Sequence, residues 1–340
     1  MRKSNLSKVG IKVVRELTEK EKRFISNDIA DKLRDKYPYL NFSYLDIVFI
    51  LYNTRMYVSK NLKEISSVNY IYQNQSIYFS EKKDIFDIDE STIYECIHRI
   101  QDRRNKKGRL MQLGNCEFTD TKIKGLMFNE MAIQYIVSNI LKRPKRKVKV
   151  QNIIVKTCSP QHNPLMSNLI EQLVLLLGEK KIVQSTICGN NDFNYQIIDA
   201  VGEKEFFEIR ENFDKIQELQ DKINKKNQNE NIIKIKEIFY KTQKIIYEKY
   251  FDRMLDYIDN IAEIESTNKQ LDLYSNFILD SEKIDEFKMF EKNIRIELDK
   301  LESKIKAKYA LVPVNKTFWN KLSFKVKNLL NHGNSGEYYK

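Results

Sequence analysis

The chain has 340 residues, a net charge of +12, 41% hydrophobic and 31% charged residues, room for two domains with real cores. No apolar run reaches the ~18 residues that span a bilayer, and the basic N-terminus has no apolar signal core, so neither a membrane-spanning nor a secreted protein is expected. The four cysteines, Cys96, Cys116, Cys158 and Cys188, form no CxxC pair; this argues against zinc and a disulfide framework and for a reducing, cytoplasmic setting.

The charge is unevenly spread. Residues 1–150 hold 30 Lys and Arg against 18 Asp and Glu, whereas residues 151–340 hold 29 of each. A basic half beside a neutral half implies a polyanionic partner. Double-stranded DNA is the first expectation, because phosphate neutralisation rewards clustered Lys and Arg; an anionic membrane surface is the competitor.

In chain order, residues 1–40 read as a basic helical arm ending at Pro38, and residues 41–149 as a winged-helix domain. YLDIVFILYNTRMYV (44–58) reads as one apolar helix, SKNLKEIS (59–66) as a short second helix, and VNYIYQNQSIYF as strand. DIDESTIYECIHRIQDRR (87–104) reads as a third helix, with Thr92 and Glu95 in capping-box spacing and Ile93, Ile97 and Ile100 on the buried face. The basic stretch Arg103, Arg104, Lys106, Lys107, Arg109 ends it, and a hairpin turning at Leu113–Gly114–Asn115 follows. A further helix leads into LKRPKRKVKV (141–150), in which six of the eight residues from Lys142 to Lys149 are basic.

Helices followed by a basic hairpin are the order of a winged helix, whose third helix enters the major groove. Outward residues near its start, Ser91, Thr92, Tyr94, Glu95 and His98, are then expected to face bases. Arg103, Arg104, Lys106, Lys107 and Arg109, with Lys142, Arg143, Lys145, Arg146 and Lys147 of the joint, are expected to hold phosphates.

Residues 150–213, with 305–332, read as a small α/β domain. KVKVQNIIVKTCSP supplies a strand or two, His162–Gly178 a helix, KKIVQSTICG a strand, and Asp192–Asn212 a two-strand hairpin. Helix, strand, Asp-bearing strand, Glu-bearing strand is the order of a restriction-endonuclease-like core. Asp192, Glu208, Arg210 and Glu171 are its candidate catalytic residues, around Mg²⁺ that polarises phosphate and activates water. Arg210 stands where that chemistry uses Lys and does not give up a proton to water, so a binding role is favoured over nuclease activity. Residues 214–304, almost without Gly or Pro, read as a helical insertion broken at Asn224–Asn231 and near Ser266–Lys269. There Phe287, Phe290, Ile294, Leu298, Leu301 and Ile305 form one apolar helix face, expected to pack on neighbouring helices, with too few uninterrupted heptads for a coiled-coil dimer; the C-terminal helices as a whole are a candidate region for a homodimer or a protein partner.

Three strings resemble the replication-relaxation family of plasmid and mobilisation proteins: GNCEFTDTKIKGL, HNPLMSNLIEQL and EFFEIRENFDKIQELQDKI, spanning roughly residues 40–225. The resemblance implies a winged helix joined to an endonuclease-like domain, and a DNA-binding role in mobile-element replication or maintenance. Glu208-x-Arg210 departs from the family's Glu-x-Asp, and Asn191–Asp192 from its Pro-Asp. No nucleotide-loop, zincin or hydrolase-elbow string appears. The tail TFWNKLSFKVKNLL (317–330) is a basic amphipathic segment, expected to pack on the chain's own α/β domain rather than on a membrane.

Overall fold

The computed structural model describes residues 11–60, 67–118, 123–224 and 226–310. It is an α+β structure, mostly helical.

Residues 12–37 form an exposed strand and a helix that packs into the core. Strand β1 (Lys12–Glu16) pairs antiparallel with β2 (Arg55–Lys60). Helix α1 (Glu19–Lys36) starts at Thr18, whose hydroxyl caps the Glu21 N–H while Glu21 reaches back to the Thr18 N–H. That reciprocal cap satisfies two donors that the first turn leaves open. Ile25, Ile29 and Leu33, spaced by four, are fully buried with Tyr37. Helix α2 (Tyr44–Tyr52) has a similar box at Ser43 and Asp46.

The helix expected to run to Val58 stops at Tyr52, and Arg55–Lys60 is strand instead. Met56 and Val58 alternate inward there. Pairing with β1 on one edge and with β4 (Ser76–Ser80) on the other replaces the helical hydrogen bonds. Strand β3 (Val68–Ile71) completes the sheet, in the order β1-β2-β4-β3. The helix expected at 59–66 falls in β2 at Ser59 and Lys60; the rest lies outside the described residues.

Helix α3 (Glu90–Gln101) is capped by Asp89, whose carboxylate accepts from the Thr92 N–H at 3.0 Å. Thr92 itself is buried, and Glu95 accepts from the Tyr70 N–H instead of closing a box. β5 (Asp102–Arg104) and β6 (Leu110–Leu113) form a hairpin directly after α3. The expected turn at Gly114–Asn115 is present, with the Cys116 N–H on the Leu113 carbonyl at 3.0 Å. The strands around it pair elsewhere, β6 with β5 and β7 (Glu117–Phe118) with β8 (Ile123–Lys124). Helix α4 (Leu126–Ile140) ends before Pro144, as expected.

The α/β core expected after residue 150 is corrected. β9 (Arg146–Val150) and β10 (Ile153–Thr157) form a ribbon, and α5 (Pro164–Leu177) follows. The expected strand 180–189 is α6 (Glu179–Cys188), and the expected hairpin 192–212 is α7 (Asp192–Val201) and α8 (Glu203–Asp221). Phe193, Ile197 and Val201 are spaced by four and buried; Phe206, Ile209, Phe213 and Ile216 follow the same helical rhythm. Two helices bury those stripes against each other and against α4 and α9 (Gln228–Tyr257). Gly202, at φ 97°, makes the bend between them, a conformation costly for other residues.

The helical region is as expected, completed by α10 (Ile261–Ser275) and α11 (Ser281–Ala310). Its second break falls at Ile258–Asn260 and not near Ser266–Lys269, which lie inside α10. The stripe from Phe287 to Ile305 packs on the core: Phe287, Ile294, Leu298 and Ile305 are buried, Phe290 and Leu301 partly so. Tyr247, Tyr274 and Phe287 meet there at ring distances of 5.2–5.8 Å. Ala307–Ala310, expected as strand, are the last turn of α11; the remainder of that strand and the basic tail lie outside the described residues. No helix among the described residues is long and apolar enough to cross a membrane.

Candidate nucleic-acid interface

The residues expected to face bases are not on an open helix face. Ser91 shares a hydrogen bond with Ser67 at 2.7 Å, and the Thr92 hydroxyl donates to Asp89 at 2.9 Å. Tyr94 donates to Glu130 on α4, and His98 Nε2 lies 3.2 Å from the same carboxylate. Helix α3 is enclosed by β3 and β4, α2, α4 and α6. Its amphipathic pattern predicts one buried face; the sheet and α4 cover most of the other.

That enclosure shapes the titration of α3. Burial opposes charge on His98, but Glu130 and then Glu95 outweigh it and raise the imidazole from 6.5 to about 9. Burial raises the Glu95 carboxyl from 4.5 to about 7. In both cases the folded state holds its proton more tightly, so stability declines with rising pH. The Glu95 share is complete below 4.5 and lost through about 7; the His98 share is complete below 6.5 and lost through about 9. We therefore expect the thermal midpoint to fall from pH 6 to pH 9.5, and His98→Gln to flatten the upper half of that fall in calorimetric scans. A midpoint that rises over this interval would contradict the pairing.

The hairpin cations divide into two groups. Arg104 is committed to the fold: Nε and Nη2 donate to Asp102, each at 2.8 Å, and Nη1 donates to the Gly108 carbonyl. Arg103 is half-buried, its guanidinium 4.5 Å from the Phe42 ring centre. Lys106, Lys107 and Arg109 are exposed on the loop Asn105–Arg109. Asn105 Oδ1 accepts from the Lys107 and Arg109 N–H groups, both at 3.0 Å, which holds the loop tight.

The basic joint divides likewise. Arg143 makes a bidentate pair with Glu90 at 2.8 and 2.7 Å. Lys145 Nζ meets Glu171 at 2.7 Å. Lys142, Arg146 and Lys147 are exposed. The ribbon adds two cations that the sequence reading missed, Lys149 and Lys156. Its two-residue tip, Gln151 and Asn152, has φ of 50° and 64°, the positive-φ pair of a type I′ turn. The resulting register sets Lys147 opposite Lys156 and Lys149 opposite Ile154. Directly opposed residues share a face, and all four are exposed. The other face carries Val148, Val150, Ile153 and Val155 toward the core, against α5. The alternation KVKV, then QN, then IIVK, was the available signal.

The candidate catalytic residues are engaged separately. Asp192, exposed at the start of α7, accepts from Asn190 at 3.1 Å. Glu208 on α8 pairs with Lys241 at 2.5 Å. Glu171 is buried and accepts from the Thr157 hydroxyl at 2.6 Å and the Cys158 N–H at 2.9 Å. Arg210 is buried and donates to the Lys124 carbonyl at 3.0 Å. The strand ends that were to carry Asp192 and Glu208 are helices, so the expected nuclease core loses its frame. Among the described residues no group of three or more His, Cys, Asp or Glu could hold a metal ion.

No family model, curated protein or solved structure matches the chain.

Proposed function

We propose that this chain binds duplex DNA, without cutting it, through two exposed basic elements: the Asn105–Arg109 loop and the outer face of the β9–β10 ribbon. The observation that carries the reading is the ribbon face. Lys147 and Lys156 sit directly across the ladder from each other, exposed, with Lys149 beside them. Like charges so opposed destabilise a ribbon, and a phosphate between them turns that repulsion into attraction. A two-stranded ribbon is narrow enough for the major groove. In this reading the hairpin after α3 plays the part of a wing, while contact passes from the enclosed third helix to the loop and ribbon. The setting is the one the sequence resemblance implies, replication or maintenance of a mobile element. The neutral C-terminal helices are left to contact a second copy or another protein.

Charge reversal at Lys106 and Lys107 tests the loop and spares the structural Arg103 and Arg104. The double Glu variant should lose about tenfold or more in affinity for duplex DNA at moderate salt, read by fluorescence anisotropy; unchanged affinity would remove the loop from the interface. Plasmid incubated with Mg²⁺ or Mn²⁺ should stay intact. Cleavage abolished by Asp192→Ala or Glu208→Ala would overturn the non-catalytic reading.

A further inference from the structure

A cavity of about 540 Å³ lies where the basic joint, the ribbon, α5 and the α10 end meet. We propose that it takes a nucleoside monophosphate unit, either a free purine nucleotide or the terminal nucleotide of a strand. The inference does not require the duplex-binding reading above; the two share Lys156, and Glu171, which lies off the ribbon face, separates them.

The size suits such a ligand, since small-molecule sites run to roughly 300–1,000 Å³ with an apolar lining and a few convergent polar groups. The most buried polar group is Glu171, 2% exposed. Its Oε1 is held by Thr157 and by the Cys158 N–H. Its Oε2 is paired with the Lys145 ammonium at 2.7 Å, a charge-assisted contact. Lys145 itself is 44% exposed, so the partner of this buried oxygen is a long side chain that reaches solvent and can move away.

Lys145 covers a second group as well. Its ammonium lies 5.0 Å from the centre of the Phe277 ring, another cavity wall. One flexible side chain thus occupies both an acceptor and an aromatic face, in the positions where a purine would donate an amino N–H and stack. Its withdrawal opens both together and leaves its own charge free for the phosphate. Arg143 and Lys156 also line the cavity, and a smaller recess of about 190 Å³, sharing Arg143 and Cys158, adds Arg146. Burial pushes the Cys158 thiol up to about 12, so this wall is an inert surface and not a nucleophile.

Calorimetric titration of the full chain with AMP, GMP, inorganic phosphate and a short 5′-phosphorylated single strand tests the assignment. At least one purine monophosphate, free or at the strand end, should bind about tenfold or more tightly than phosphate. Lys156→Ala and Glu171→Gln should each weaken it about tenfold. Lys156 is exposed, so its variant carries the test if Glu171→Gln does not fold. Binding by the strand alone identifies the terminal nucleotide; binding by the free nucleotides identifies the soluble ligand. Inorganic phosphate matching the nucleotides would overturn the proposal. So would the absence of nucleotide and strand binding, or nucleotide affinity unchanged in Lys156→Ala.

Discussion

Replacing Lys147, Lys149 and Lys156 together by alanine should lower affinity for duplex DNA on the order of 10²–10³-fold near 0.1 M salt, since each lost phosphate contact forfeits close to one released counterion. The loss should come without unfolding. All three side chains are exposed, and the inward Val148, Val150, Ile153 and Val155 that hold the ribbon to α5 are untouched. Because Lys147 and Lys156 face each other across the ladder, their removal relieves repulsion and should leave the ribbon as stable or a few tenths of a kcal/mol more so. A variant with an unchanged or raised melting temperature and greatly weakened binding is the signature of a binding surface. Weakened binding with a lowered melting temperature would instead mark the ribbon as structural.

The largest stability effect is expected at Asn129, which is fully buried on α4. Its Oδ1 accepts from the Asn115 N–H at 2.9 Å and from Gln101 Nε2 at 3.3 Å. Gln101 also donates to the Thr186 carbonyl, and Asn115 Nδ2 donates to the Thr186 hydroxyl at 2.8 Å. This network ties the end of α3, the turn after β6, α4 and α6 into one knot under the basic hairpin. Asn129→Ala orphans the buried Asn115 N–H and the Gln101 Oε1, which accepts from Asn129 Nδ2, and leaves a void, a loss of about 2–4 kcal/mol. Gly114 is part of the same knot: its φ is +53°, and a Cβ there would lie 2.1 Å from Asn129 Oδ1. Gly114→Ala should therefore cost a similar amount, and the double variant clearly less than the sum, because both break one network. Urea unfolding of the four proteins checks this; full additivity would show that the two residues act independently.

How much of this was legible in the sequence depended on which signal was weighed. Helix α5 stood out as a continuous apolar stretch, and α11 because its apolar residues recur at three- and four-residue steps. The ribbon was legible as strand from KVKVQNIIVK, though its register, and so the pairing of Lys147 with Lys156, required the two-residue turn to be recognised. The segment 180–213 was misread because Ile182, Val183, Thr186 and Ile187 favour strand, and the Asp and Glu spacing suggested a metal-binding sheet. Phe193–Ile197–Val201 and Phe206–Ile209–Phe213–Ile216 already carried the helical period, and burial followed the period rather than the propensity. The enclosure of α3 was not legible: an amphipathic helix with a polar face looks the same in sequence whether solvent or a second set of polar partners, here Tyr70, Glu130 and Ser67, covers that face. Glu171 and Phe277 lie over a hundred residues apart, so their meeting at one cavity could come only from the fold.

The central claim is that phosphate neutralisation by the ribbon and loop drives binding, and the salt dependence of affinity measures that directly. Affinity of the full chain for two duplexes of unrelated sequence should fall linearly with the logarithm of salt concentration, with a slope reflecting several phosphates. The slope should be shallower by roughly two to three in the Lys147, Lys149 and Lys156 alanine variant. No duplex binding at low salt, or a slope that the three substitutions leave unchanged, would contradict the account.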